Sequence, residues 1–336
     1  MASLPADDPL IGDISEGRVL RAILARTEPA SRAILGPGDD AAVVAAPSAS
    51  VVATTDTLVH GPDFRLAWSS GYDLGWKSAA VNLADVAAMG AAPTALLVAL
   101  AVPRDTRLSF VTSMADGFRD ACAALAPGCS VVGGDLTVSE VLMVAVTALG
   151  DLGGRAAVTR SGARPGDVIA LAGELGAAAA GLGLLFGRFR DGERPVPVDR
   201  ALLEGPQLRA LDAQLRPAPP VGLGVMAAVA GATAMMDVSD GLALDAARLA
   251  ESSGVSIRFD GAAIDRVAFG GDRRRALSGG EDHGLLAAFP ADVLPPGFHA
   301  LGAVVAREGD GVLVDGAPVS HEGWDPYRDW DGVVAG

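Results

Sequence analysis

Thr54-Thr-Asp-Thr57 puts a carboxylate in the middle of an otherwise apolar stretch, and Asn82 and Asp85 stand in an alanine-rich one. An acid inside a strand, or on a nearly uncharged helix, needs a partner, because burying a lone carboxylate is costly unless it is paired or metal-bound. Further acids recur beside small residues: Asp39 and Asp40 after Gly-Pro-Gly, Asp135 after Gly-Gly, and Asp237 and Asp240 on either side of Val-Ser. Any single Asp-Gly or Gly-Asp is ordinary turn chemistry. As a set they suit a divalent cation holding phosphate. Magnesium takes a few hard carboxylate oxygens and keeps places for phosphate and water, and small neighbours let backbone N–H groups approach an anion.

The elements that must position these groups follow from periodicity. Val51 to Val59 alternates as a strand, with Thr54 and Asp56 on one side and Thr55 and Thr57 on the other. The helix after Ser69-Ser70 brings Ser78, Asn82, Asp85 and Met89 onto one face and ends at Gly90 and Pro93. Ahead of these lie a helix over 13–26 and a short strand over 41–46. Residues 95–102 form a strand covered on both faces and 108–125 a helix; 130–135 is a short strand breaking into a Gly-Gly-Asp turn, and 141–149 is another buried strand. Asp151-Leu-Gly-Gly-Arg155 marks a boundary between two domains, 1–152 and 153–336. The second carries strands at 168–172, 232–236, 255–259 and 285–289, with short ones near 299–305 and 311–314. Its helices are at 176–187, 202–215 and 243–252; a surface loop spans 188–200, and acidic turns follow Asp237 and Leu277. Strands and helices mix in both halves, which is α/β of the mixed α+β kind.

The net charge of −15 argues against a nucleic-acid or anionic-membrane surface, and aromatics are too few for a base-stacking platform. Cys122 and Cys129 read as buried reduced thiols rather than a disulfide framework. Gly71-Tyr-Asp-Leu-Gly-Trp-Lys77-Ser78 has the wrong spacing for a P-loop, and Gly181-Leu-Gly183 lies inside a helix. His60, His283, His299 and His321 are scattered, and each reads as a surface or loop residue. With no signal-peptide core and no apolar run long enough to span a bilayer, a cytoplasmic location is expected.

Seven motifs then fall in one order. They are Gly36-Pro-Gly-Asp-Asp-Ala-Ala-Val43, Thr54-Thr-Asp-Thr-Leu-Val59, Gly75-Trp-Lys-Ser-Ala-Ala-Val-Asn-Leu-Ala-Asp-Val-Ala-Ala-Met-Gly-Ala91 and Gly133-Gly-Asp135. Arg160-Ser-Gly-Ala-Arg-Pro-Gly-Asp167, Met236-Asp-Val-Ser-Asp-Gly-Leu242 and Ser278-Gly-Gly-Glu-Asp282 complete the series. Over about residues 11–327 the chain resembles the thiamine-monophosphate kinases, of the aminoimidazole-ribonucleotide-synthetase-like ATP-binding superfamily. The resemblance implies direct in-line transfer of the γ-phosphoryl group of ATP to thiamine monophosphate, assisted by several Mg2+ ions. It implies a homodimer whose N-terminal sheets close a barrel-like core, and a C-terminal α/β sandwich domain that completes the site. Asp40, Thr54, Thr55, Asp56, Asp85, Asp135, Asp237 and Asp240 match metal positions, with Asp56 and Asp135 most critical. Gly134, Asp135, Arg160 and Ser239 match ATP positions, and Asp63, Glu281 and Trp324 match the substrate side. No general base is required, because a phosphate oxygen is already ionised.

Departures from the family pattern gather on the acceptor side. Asp63 stands where His is usual, Leu136 follows Gly-Gly-Asp where Thr is usual, and His283-Gly284 follows Glu-Asp where Tyr-Glu is common. The competing readings are an ATP-using enzyme of the same superfamily with another acceptor, and a non-catalytic nucleotide-binding scaffold.

Overall fold

Fourteen of the eighteen residues in the helix Gly71–Ala88 are buried, and most of them are Ala, Gly, Val or Leu. Such a helix has no solvent face, so it must be enclosed by the rest of the chain. The computed structural model, which describes residues 8–37, 41–309 and 311–320, encloses it in this way. Asp40 and Trp324 lie outside the described residues.

In chain order the first half holds α1 (Glu16–Leu24), β1 (Ala33–Leu35), β2 (Val43–Val44), β3 (Val52–Val59), α2 (Gly71–Ala88), β4 (Ala92–Val102), α3 (Leu108–Leu125), β5 (Val131–Val138) and β6 (Met143–Asp151). The second half opens with β7 (Val168–Ala172), α4 (Ala177–Arg188), β8 (Arg190–Asp191), β9 (Arg194–Pro195), α5 (Gly205–Leu215) and α6 (Val221–Val229). It continues with β10 (Ala234–Val238), α7 (Leu242–Ser253), β11 (Val255–Phe259), α8 (Gly261–Val267) and α9 (Arg273–Ser278). The last strands are β12 (Gly284–Phe289), β13 (His299–Ala306), β14 (Val312–Val314) and β15 (Ala317–Pro318).

Among the described residues one sheet has the order β3-β6-β4-β5 and another the order β10-β12-β7-β13-β11-β14-β15. The first is open within the single chain. Its inner face, with Val144, Val146 and Ala148 almost fully buried, packs under α2. Its other face, which carries Ala53, Thr55 and Thr57, is exposed. Ser70 and Asp73 start α2 with a reciprocal cap, each side chain accepting the other's backbone N–H. Glycines bring the neighbouring helices unusually close. A Cβ on Gly75 would stand 2.0 Å from the Met114 carbonyl oxygen of α3, and one on Gly224 of α6 would stand 2.1 Å from that of Ala87.

The structure corrects several expected elements. The Gly-Gly-Asp segment is no turn: parallel pairing of Gly133, Gly134 and Asp135 with Leu97, Val98 and Ala99 keeps β5 extended through it. Asp237 and Val238 belong to β10 rather than to the turn after it, because they pair with Leu285 and Gly284. The loop over 188–200 contains the small β8–β9 pair. Helix α5 begins at Gly205, where Gln207 reaches back to the Glu204 N–H. Helices α6, α8 and α9 have no counterpart in the sequence-based reading.

Candidate active site

Strand β3 is an edge strand, so its outward-facing backbone groups need partners from outside the sheet. Helix α2 provides one of these partners. The Asp56 amide donates to Asn82 Oδ1 at 3.2 Å, and Asn82 Nδ2 donates to the Ser78 carbonyl at 2.9 Å. Thr54 Oγ1 donates to Asp85 Oδ2 at 2.8 Å. Asn82 and Asp85 therefore fix the angle between helix and strand, and Asp56 and Asp85 both border one cavity of about 910 Å³.

The second half closes this cavity. Asp237, at the end of β10, is 4% exposed and faces Asp56 and Asp85. Its Oδ2 lies 3.2 Å from Nδ1 of the buried His283. Burial raises the pKa of Asp85, Asp237 and Asp56 raise it further, and it reaches about 7 despite the Thr54 hydrogen bond and His283. Burial also raises Asp56, against the opposing charge of His283. For His283, burial works against the imidazolium, but the hydrogen bond and charge of Asp237 outweigh it and lift the pKa above the ordinary value.

Asp240 sits one turn further on. Asp245, fully buried, accepts the N–H groups of Asp240 and Gly241 and so holds the Asp-Gly turn. Arg248 Nη1 bridges Asp240 and Asp245 at 2.5 and 2.7 Å. Ser239 borders the cavity, and its carbonyl accepts the Glu281 N–H at 2.7 Å.

Across from the acids, Lys77 of α2 is 4% exposed and donates to Glu281 Oε2 at 2.8 Å. Gln214 of α5 donates to the same oxygen. Burial pushes the Glu281 carboxyl up, but Lys77 and Gln214 outweigh it and hold the group below the usual range. Asp63 accepts the Val59 N–H at 2.7 Å, and burial raises its pKa. Asp282 turns away from Glu281 to cap α4, accepting from the Gly176 and Ala178 amides. Helices α4 and α5 then supply an apolar wall that includes Leu182, Leu185, Phe186 and Leu215, with Trp68 edge-on to Phe186 at 4.9 Å.

The cavity thus brings together Asp56, Asp63, Asp85, Asp237, Ser239, Asp240 and Glu281 from the positions read off the sequence. Thr54 reaches it through Asp85. Thr55 points to the other face of its sheet, donating to the Val146 carbonyl. Asp135 is exposed on edge strand β5; through Ala99 and Ala145 it lines up with Thr57 rather than Asp56, and it does not border the cavity. Gly134 is beside it, and Arg160 is exposed on a loop, its carbonyl accepting from Ser253. Lys77, Gln214 and His283 border the cavity without having been singled out as site residues. The usable signal for His283 was its place two residues after Glu281; for Lys77 it was a lysine on a helix with no other basic residue.

The donor chemistry fits a hard divalent cation. Asp56, Asp85 and Asp237 are partly or fully buried and crowd one another, burial and then the neighbouring acids carrying Asp85 to about 7, with His283 set against Asp237. No three acidic, histidine or cysteine side chains among the described residues close on one point as a complete protein ligand set. An ion here would draw its remaining ligands from phosphate oxygens and water.

The fold that carries these acids is mixed α/β of the AIR-synthase-like kind. The family model for the N-terminal domain of AIR synthase related proteins matches residues 38–152. The chain belongs to the thiamine-monophosphate kinase family. It is 41% identical over 342 residues to the thiamine-monophosphate kinase of Mycobacterium tuberculosis, covering 98% of this chain and 94% of that one. It is 39% identical to that of Corynebacterium glutamicum, covering 95% of each. The solved structure of AaThiL complexed with AMPPCP and TMP matches with a TM-score of 0.72 at 29% identity, over 96% of this chain and 99% of that one.

Proposed function

We propose that this protein transfers the γ-phosphoryl group of ATP to the phosphate of thiamine monophosphate, giving thiamine diphosphate and ADP. The observation that carries the reading is the meeting of Asp56, Asp85 and Asp237 from two sheets and α2 in one cavity, opposite an apolar wall, in a chain of this family. AMPPCP is an ATP analogue, so the related AaThiL complex supports ATP as the phosphoryl donor.

The cofactor is Mg2+, held by Asp56, Asp85, Asp237 and Asp240, with Thr54 orienting Asp85. When bound, it neutralises charge between two phosphates that otherwise repel each other. The chain's own work is to hold those carboxylates in fixed places, to exclude water with the α4–α5 wall, and to orient the acceptor. Asp40, Thr55, Asp135, Gly134, Arg160 and Trp324 are kept in the site by the resemblance. The exposed sheet face that carries Thr55 and the residues aligned with Asp135 is the surface proposed for the homodimer. The boundary near 152 divides an ATP-binding domain from one that completes the site. Among the described residues no helix is long and apolar enough to cross a membrane, and a cytoplasmic location is proposed.

The test is an assay of purified protein with Mg-ATP and thiamine monophosphate. Thiamine diphosphate is expected, with activity lost on chelation and restored by added Mg2+. Bound ATP without product would overturn the reading. Asp135→Asn is expected to abolish turnover while leaving the fold of the chain intact by circular dichroism, since its carboxylate is exposed within the single chain. Parental rates in that variant would remove Asp135 from the metal set.

A further inference from the structure

Glu281 is held in a way that stability alone does not explain. Its backbone is left-handed, at φ +68°, a conformation that costs a side-chain-bearing residue and persists where the surroundings impose it. Its Oε2 takes both available donors, Lys77 Nζ and Gln214 Nε2, from two different helices. No donor among the described residues reaches Oε1, and the side chain is 36% exposed, on the cavity. One oxygen is fixed from behind and the other is presented.

Gln214 sharpens the point. Its side chain is 5% exposed, and its amide has only one sensible orientation, because the NH2 must face the ionised carboxylate. That choice leaves Gln214 Oε1 buried with no hydrogen-bond partner. A buried unpaired carbonyl lowers stability, and such groups are rare in folded proteins. An apolar side chain of the same size would avoid it. What the glutamine adds is the aim of Glu281.

We propose that Gln214 and Lys77 are positioning residues that hold Glu281 so that its free oxygen receives the amino-bearing pyrimidine ring of the acceptor. The proposal rests on the phosphoryl-transfer reading above. The presented carboxylate oxygen accepts N–H donors and favours positive charge. Asp63 adds a second carboxylate to the same cavity, while Trp68, Phe186 and Leu215 offer apolar surface to a flat ring. An acceptor phosphate is repelled by Glu281 and Asp63, so it is the organic end that faces them. The phosphates then lie toward Asp56, Asp85 and Asp237, where the Mg2+ of the proposed reaction would offset the carboxylate charge.

The experiment is steady-state kinetics of Gln214→Met. The KM for thiamine monophosphate is expected to rise about tenfold, the worth of one well-aimed hydrogen bond to a charged group. The KM for ATP stays within about twofold by the same reasoning, because Glu281 faces only the acceptor. A phosphorylated thiazole fragment, lacking the aminopyrimidine, is used equally by parent and variant. The melting temperature is unchanged or raised, whereas a merely structural glutamine would lower it. In the Gln214→Met/Glu281→Gln pair the effects do not add, because Gln214 acts through Glu281. An unchanged KM for thiamine monophosphate, an equal rise for the fragment, or full additivity overturns the assignment. Should Gln214→Met not fold, Lys77→Arg displaces the other donor and reads the same ratio of acceptor to fragment KM. An unsubstituted protein that does not phosphorylate thiamine monophosphate overturns the functional reading, and this one with it. A parent that does so, beside a silent Gln214→Met, overturns only this one.

Discussion

Asp85→Asn is expected to abolish phosphoryl transfer and, in metal-free protein, to raise the melting temperature at pH 8. The two effects have one source. Asp85 is largely desolvated and is crowded by Asp237 and Asp56, so its folded pKa stands at about 7 against an ordinary value of 3.8. A carboxyl that binds its proton more tightly when folded stabilises the fold below the ordinary value. That contribution is lost as pH rises through the folded pKa, so the ionised group is a net penalty at pH 8. An amide keeps the Thr54 hydrogen bond and removes the charge. After allowing for relaxation and water access, the gain is about 1–2 kcal/mol, a shift of a few degrees. At pH 4 parent and variant are expected to melt together. Melting curves in chelator at the two pH values read the difference, and a variant that melts with the parent at both would mean the crowding carries no penalty. Asp245 and Asp282, each raised to about 6 chiefly by burial, give the parent some of the same pH dependence and leave it in the variant. Turnover near the parental rate would remove Asp85 from the site.

Gly75→Ala is expected to cost more than any single cavity substitution. The added methyl would stand 2.0 Å from the Met114 carbonyl oxygen and 2.8 Å from its carbon, so α2 and α3 must separate. Neither helix can yield cheaply. Leu74, Ala79, Leu83 and Val86 of α2 are fully buried against the sheet and its other neighbours, and Met114 and Phe118 of α3 are nearly so. A loss of about 3 kcal/mol or more is expected for overpacking with backbone displacement. Urea unfolding reads it directly, and a midpoint equal to the parent's would show that the helix crossing is looser than its glycines imply. Because α2 carries Asn82 and Asp85, the surviving folded fraction is also expected to turn over more slowly.

Where local pattern and tertiary setting agreed, the sequence was readable to the residue. Leu108–Leu125, Val168–Ala172 and Val255–Phe259 are bounded as expected, because each apolar pattern ends at residues that cannot continue it. Helix α6 was unreadable for the opposite reason. Val-Gly-Leu-Gly-Val-Met-Ala-Ala-Val has no polar stripe, and its Gly224 answers to Ala87 more than a hundred residues away. Strand β5 depended on a parallel partner that no local rule reveals. In the site, Asp56 and Asp85 were legible because an acid in an apolar stretch is an anomaly within its own segment. His283 was not: it is buried, and its polar partner Asp237 lies on the neighbouring strand and far away in sequence. Arg160 and Asp135 carried family motifs yet stand outside the cavity, so a motif located them in the chain without locating them in space.

Glu281 and Asp282 occupy consecutive codons and face opposite ways, one into the cavity and the other onto the first amides of α4. The same helix carries Leu182, Leu185 and Phe186 to the cavity's apolar wall. This arrangement restricts the routes by which a descendant could acquire a new substrate. An insertion or deletion between the two acids would turn Glu281 away from the cavity and uncap α4 in a single event. Replacing residues along α4 changes the wall one position at a time and leaves both acids in place. The turn is thus closed to gradual adaptation, and the helix it anchors is open to it.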